Sequence, residues 1–331
     1  MSHEITERAD GTAEAAYAMV PAWHGLGTVV DHTMTSEEAI QLAHLDWQVE
    51  QYPLVARRTQ DEMSIDIDVP DKVANVRTDC QRVLGLVSKQ YAIVQNSEAF
   101  AFVDALHQDG IIKYESAGSL KGGRVVWLLA RMPQEFEVAD GDRLEQYILF
   151  STSHDGTQAV RCLPTSVRVV CWNTYSMATA KESWGITIRH MGDLSARIDE
   201  ARRTVMKVGQ AFDAYYEDAK QLSKTQVDMA RLEAYVNVLF PDEEGLNNWH
   251  RQQMRQSIIR AFSDGPQMVP SIRGTAWAAW NAVTQVVDHQ SLYRARGTDS
   301  PAENRMISTV FGGNAALKRS ALKLAVSAFS A

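Results

Sequence analysis

Apolar and polar positions alternate most clearly between Tyr114 and Met177, in short runs separated by turn residues. This pattern predicts an antiparallel β-meander. Lys121-Gly122-Gly123 is a tight-turn signal between a strand over Tyr114–Leu120 and one over Arg124–Arg131. The second of these, RVVWLLAR, is apolar at both parities. Val125, Trp127 and Leu129 belong to one face and Val126, Leu128 and Ala130 to the other, as in a central strand covered on both sides. The polar stretch Pro133–Leu144 reads as a longer loop leading to a third strand, QYILFSTS. His154-Asp155-Gly156-Thr157 then turns the chain into a fourth, QAVRCLP.

Upstream, residues 1–20 read as a mobile arm and Pro21–Asp31 as a glycine-containing turn. Gly25-Leu26-Gly27 lacks the preceding strand and third glycine of a dinucleotide loop, so no cofactor is expected. SEEAIQLAHL, with Thr35 or Ser36 as N-cap, predicts a short helix. Asp46–Val55, Val69–Val76 and Arg82–Leu86 alternate as strands, with Arg57–Asp68 a loop or hairpin tip. Asp66, Asp68 and Asp71 lie close together but lack the spacing of a calcium loop. SEAFAFVDALHQ, capped at Asn96-Ser97, carries an apolar stripe of Phe100, Val103 and Leu106. Thr165–Met177 has a helix cap at its start but valines that favour a strand, and both readings stay open.

From about Ile188 the apolar period lengthens to three or four residues. Leu194, Ile198, Ala201, Val205, Val208 and Phe212 predict a helix of some 30 residues. Further helices follow near Met229–Leu239, Asn247–Phe262, Thr275–His289 and Ala315–Phe329, with a polar break at Gly297–Asn304. The fold class is α+β: an antiparallel β-meander covered by helices, with a mostly helical C-terminal region. The expected units are 1–187, the α+β domain with its arm over 1–20, and 188–331, the helical region.

Charge changes this picture locally. The net value is −8, yet residues 1–112 hold 7 Lys and Arg against 18 Asp and Glu, and the rest of the chain is close to balance. Gln158–Lys207 has 8 basic and 4 acidic side chains, so an acidic total does not exclude nucleic acid. Cys80, Cys162 and Cys171 are too few and too scattered for a disulfide framework or a four-ligand zinc site, which fits a reducing cytoplasm. No apolar run reaches the roughly 20 residues of a membrane span, and no membrane association is expected.

Arg161 and Arg168 stand close to Trp172 and Tyr175, with Arg189 and the helix over Arg197–Lys207 (Arg202, Arg203, Lys207) beyond them. Cations for phosphates beside rings for bases are what a single-stranded nucleic-acid groove needs. Burial of the two rings as core anchors is the competing reading. An enzymatic alternative would gather Asp140, Asp142, His154 and Asp155 around a metal, as in a nuclease. A further alternative gives the acidic N-terminal third a basic protein partner.

Three stretches, PAWHGLGT, RVVCWNT and TAWAAWNAVTQVVDH, resemble the phage/plasmid-like proteins built on domain of unknown function 932. The resemblance implies a setting in bacteriophages, plasmids or mobile elements, in the bacterial cytoplasm, and assigns no activity. In its architecture the hairpin YESAG-turn-RVVWLLAR followed by YILFSTSHDG is similar to phage single-strand annealing proteins and their ring-forming eukaryotic relatives. That similarity implies a β–β–β–α core, a homo-oligomer, and single-stranded DNA held in a basic groove. Single-stranded DNA binding and annealing, without catalysis, is therefore the leading expectation.

Overall fold

The structure is a computed structural model of the 331-residue chain. It describes residues 5–19, 26–60, 63–100, 104, 112–157, 160–165, 186–188, 194–245, 247–265, 269–290, 304, 308–309 and 312–329. In chain order, the elements begin with β1 (Ala15–Ala18), β2 (Thr28–Val30) and α1 (Ser36–Leu42). Next come β3 (Val49–Gln60), β4 (Met63–Arg77) and β5 (Arg82–Ser88), then β6 (Lys113–Leu120), β7 (Val125–Ala139), β8 (Asp142–Ser153), β9 (Val160–Thr165) and β10 (Ile186–Ile188). The helices α2 (Leu194–Lys224), α3 (Met229–Leu239), α4 (Trp249–Asp264), α5 (Ala276–Gln290) and α6 (Gly313–Phe329) follow.

A seven-stranded sheet has the order β10-β9-β8-β7-β6-β1-β2, antiparallel except where β1 meets β2, and β3-β4-β5 form a second sheet. The two apolar parities of β7 go to two different cores. Val126, Leu128 and Ala130 face the large core shared with the helices, and Val125, Trp127 and Leu129 face a smaller one with Ile5, Ala15, Tyr17, Tyr147 and Leu149. The expected central strand is thus observed, covered on both sides.

Turn chemistry fixes the hairpins. Lys121, Gly122 and Gly123 all adopt positive φ, the left-handed region that glycine enters without a Cβ penalty. Pro133–Leu144 is not a loop, as expected from its polarity. β7 and β8 continue through it to the pair Ala139↔Asp142, leaving Asp140-Gly141 as a two-residue turn with Gly141 at φ +75°. A register shift between Arg131 and Glu135 absorbs Pro133, which cannot donate to the ladder.

Residues 5–19 are no arm either. β1 lies between β6 and β2, and Ala15, Ala16, Tyr17 and Ala18 are buried. An Ala-rich run reads weakly as strand because alanine is poorly suited to a pleated surface; here its small size lets it fit beneath the neighbouring side chains. Of the two N-cap candidates of α1, Thr35 takes the role, and it does so in a capping box, its side chain accepting from Glu38 N–H. The next helical stretch starts one residue earlier than read: Ala99 N–H donates to Gln95 O, and Asn96 is buried inside it. Arg57–Asp68, left between a loop and a hairpin tip, is largely paired strand.

Helix α2 packs its Phe212, Tyr215, Ala219 and Leu222 on the large-core face of the sheet. Tyr216 stacks on Phe136 at 4.6 Å and donates to Glu137 O, and Ser223 donates to Val138 O. Behind it, Trp277 and Trp280 of α5 meet Tyr215 at 5.9 and 6.1 Å. Both tryptophans are core, and a buried Lys318–Asp288 ion pair of 2.7 Å joins α6 to α5. Helices and central sheet therefore share one core, and the boundary read at 187/188 falls within β10.

Candidate functional site

Arg161 sits on β9 opposite Ser151 of β8. Its neighbour Cys162 points into the helix-side core, so alternation places Arg161 on the other face, with Ser151 and Trp127. It is half-buried, and burial lowers the guanidinium pKa from its ordinary value. Arg203 is exposed on α2, which covers the opposite face of the sheet. The two do not converge within one chain. Arg168, Trp172, Tyr175 and Arg189 lie outside the described residues, as do the side chains of Arg202 and Lys207, although α2 carries their backbone.

The acids grouped as a possible metal set occupy opposite ends of β8. Asp140 and Asp142 flank its start and His154 and Asp155 follow its end, roughly 40 Å away for a strand of this length. Each also has a structural task. Asp142 accepts from Trp277 Nε1 at 2.8 Å, and Ser271 donates to Asp140 O at 2.6 Å, so this hairpin tip is docked on the helical region. Burial raises the Asp142 pKa, partly offset by the indole hydrogen bond. Asp155 accepts from Thr157 N–H and Oγ1 within its turn.

His154 is buried edge-on to Trp47 at 5.4 Å, with Nε2 2.9 Å from Asn96 Oδ1. Asn96 Nδ2 donates to Leu45 O, which turns its carbonyl oxygen to the imidazole and makes Nε2 the protonated nitrogen. Asn75 donates to His154 O and Tyr91 to Ser153 O. At this junction a Cβ on Gly85 would fall 2.5 Å from Asp155 Cα, so only glycine permits the approach of the two sheets. His154 therefore works as a joint. Among the described residues no group of three His, Cys, Asp or Glu side chains is placed to hold a metal ion.

Sequence reasoning missed the most heavily charged buried site among the described residues. Arg77 of β4 donates to Asp79 from Nε and Nη2 (2.7 and 2.8 Å) and to Glu14 from Nη1 (3.1 Å), with a further short bond from Nη2. Ser119 donates to the same Glu14 carboxylate, and the guanidinium lies 4.3 Å from the Trp47 ring centroid. Burial alone would lower the Arg77 pKa; Asp79 and Glu14 outweigh it and raise it, while Arg77 overcomes burial to lower that of Asp79. A cleft of about 640 Å³ opens beside this network, lined by Thr6, Arg8, Cys80, Arg82 and Gly122 among others. Both carboxylates are taken up by Arg77, so the cluster clamps β1, β4 and β6 together and offers no general base.

Other acids of the N-terminal third also have partners, most of them at the surface: Glu38 meets His32, Asp66 meets Arg57, and Asp104 accepts from Ser36 and Tyr114. Residues 83–308, about two thirds of the chain, match the family profile of a domain of unknown function, DUF932. The chain belongs to the DUF932 family. No curated protein and no solved structure matches it. The DUF932 match takes in the meander and α2 to α5 but leaves β1 to β4 outside, and with them Glu14 and Arg77. No helix among the described residues is long and apolar enough to cross a membrane.

Proposed function

We propose that this DUF932 chain is a non-enzymatic single-stranded DNA binding and annealing protein, acting as a homo-oligomer. The observation that supports the reading is the antiparallel run β6 to β10 followed by α2, which is laid across one face of the sheet; the annealing resemblance implies three such strands and a helix, and here β9 and β10 stand between the third strand and the helix. Arg161 on the opposite face and exposed Arg203 on α2 supply cations on two surfaces. In an oligomer, modest charge per subunit is multiplied along a continuous strand. The three sequence motifs support a phage or mobile-element setting in a bacterial cytoplasm.

Fluorescence anisotropy of a labelled single strand of about 30 nucleotides, titrated at roughly 50 and 200 mM salt, tests this reading. Affinity is expected to fall steeply with salt. Arg161→Ala and Arg203→Ala should each reduce the slope of log affinity against log salt by about 1. Absence of binding at the lower salt overturns the proposal.

A further inference from the structure

Helix α2 is one run of 31 residues, but its two halves are unlike. The C-terminal half is fixed to the sheet. Phe212, Tyr215, Ala219 and Leu222 are buried in the large core, Tyr216 stacks on Phe136 and donates to Glu137 O, and Ser223 donates to Val138 O. Charge divides the helix at the same place. Residues 194–208 hold Arg197, Arg202, Arg203 and Lys207 against Asp199 and Glu200. Residues 210–224 hold Lys220 and Lys224 against Asp213, Glu217 and Asp218. A basic half thus gives way to an acidic one, and Gly209 stands between them. Glycine inside a helix weakens it roughly two- to five-fold relative to alanine in the local equilibrium, so the position calls for a reason. Packing does not supply one. Outside its own helix, nothing lies within 4 Å of where a Cβ on Gly209 would be. Among the described glycines it is the one with neither a positive φ nor a neighbour at that distance.

We propose that α2 is jointed at Gly209: its C-terminal half stays on the sheet, and its basic N-terminal half bends away and returns as a unit, held in place by a bound single strand. Backbone freedom is greatest at glycine, and hinges are a few residues that absorb a change of φ and ψ. The joint also falls where the fixed part ends, since Phe212, the first of the buried anchors named above, is only three residues further on. A ligand shifts such an equilibrium only if it binds one arrangement better than the other. Phosphates discriminate in this way, because they attract the half that carries exposed Arg203 and are repelled by the half that carries Asp213 and Glu217. The role of the strand rests on the DNA reading above; the joint does not.

Amide hydrogen exchange of the full chain, read by mass spectrometry with and without a single strand of about 30 nucleotides, tests both parts. Without DNA, residues 194–208 are expected to exchange as one group, about ten-fold or more faster than residues 212–224. Gly209→Ala should slow that group roughly two- to five-fold and leave residues 212–224 unchanged. Asp213→Ala, an exposed change in the fixed half that also raises helix propensity, should leave residues 194–208 unchanged. Equal exchange of the two halves in the wild type overturns the joint. So does a Gly209→Ala variant that slows both halves alike, or an Asp213→Ala variant that slows residues 194–208 as much as Gly209→Ala does. With DNA, the strand should protect residues 194–208 in the wild type, and Gly209→Ala should weaken binding roughly two- to five-fold. A strand that binds both proteins equally and leaves residues 194–208 unprotected overturns its role in holding the basic half. Absence of any binding by the wild type overturns that role together with the DNA reading, while the exchange without DNA still decides the joint.

Discussion

Strand β7 and the β3-β4-β5 sheet have similar sequences in one respect: each presents a run of apolar residues on a surface that ordinary alternation would leave polar. Their fates differ. β7 has Val126, Leu128 and Ala130 covered by helices and Val125, Trp127 and Leu129 covered by the smaller core. On the three-stranded sheet Ile65, Ile67 and Leu86 remain in water. Alternation tells which side of a strand needs cover; whether the same chain supplies it depends on segments distant in sequence. The sharpest way to break this comparison is a pair of truncations. Trp127→Ala should cost about 3–5 kcal/mol in urea unfolding, and Leu86→Ala should stay within about 0.5 kcal/mol. Comparable losses at both positions would mean that Leu86 is packed.

The same sheet offers the comparison again with charges. Arg77 at its base and Arg57 at its tip each make two bonds to one aspartate, Arg77 deep in the protein and Arg57 in solvent. Arg77→Ala leaves the buried Glu14 carboxylate without its cation and should cost about 3–5 kcal/mol. Arg57→Ala should leave the melting temperature nearly unchanged, since exposed pairs are screened and bought back by hydration. A large effect at the tip would place Arg57 in a contact that the isolated chain does not show.

What was legible in the residues follows the range of the interactions. The two faces of β7, the turn at Lys121-Gly122-Gly123 and the Thr35 cap are local patterns, and local patterns survived folding. Glu14 was unreadable as a core residue because its partners Arg77 and Ser119 are 63 and 105 residues away. Arg161 and Arg203 looked like members of one basic stretch, but sheet alternation and the packing of α2 send them to opposite sides. The β7–β8 hairpin was legible and was overlooked. Asp140-Gly141 is a strong two-residue turn signal, but the polarity of Pro133–Leu144 reads as a loop because this end of the hairpin is largely exposed. Gly141→Ala tests that turn, since its φ of +75° should make the substitution cost about 1–2 kcal/mol. No loss would show that the turn can relax.

The smallest effects separate the two hairpin tips by pH. At the docked β7–β8 tip, burial raises the Asp142 pKa above 3.8, so folding favours its protonated form. That contribution is full below the unfolded value and is lost as pH rises through the folded one. Asp142→Asn keeps an oxygen for Trp277 Nε1 and removes the buried charge. The variant should melt higher than the parent at pH 7, and the gain should disappear as the pH approaches 3.8. At the undocked β3–β4 tip the sign reverses. The hydrogen bond from Arg57 lowers the Asp66 pKa below 3.8, so its contribution is present above that value and is lost as pH falls through the folded pKa. Asp66→Asn should melt slightly lower at pH 7, with the deficit removed both by acid and by high salt. Thermal melts of the two variants at pH 7 and at acid pH therefore bear on the comparison through sign alone. Shifts of the same sign would mean that the two tips share one environment, and the distinction between docked and undocked would fail there.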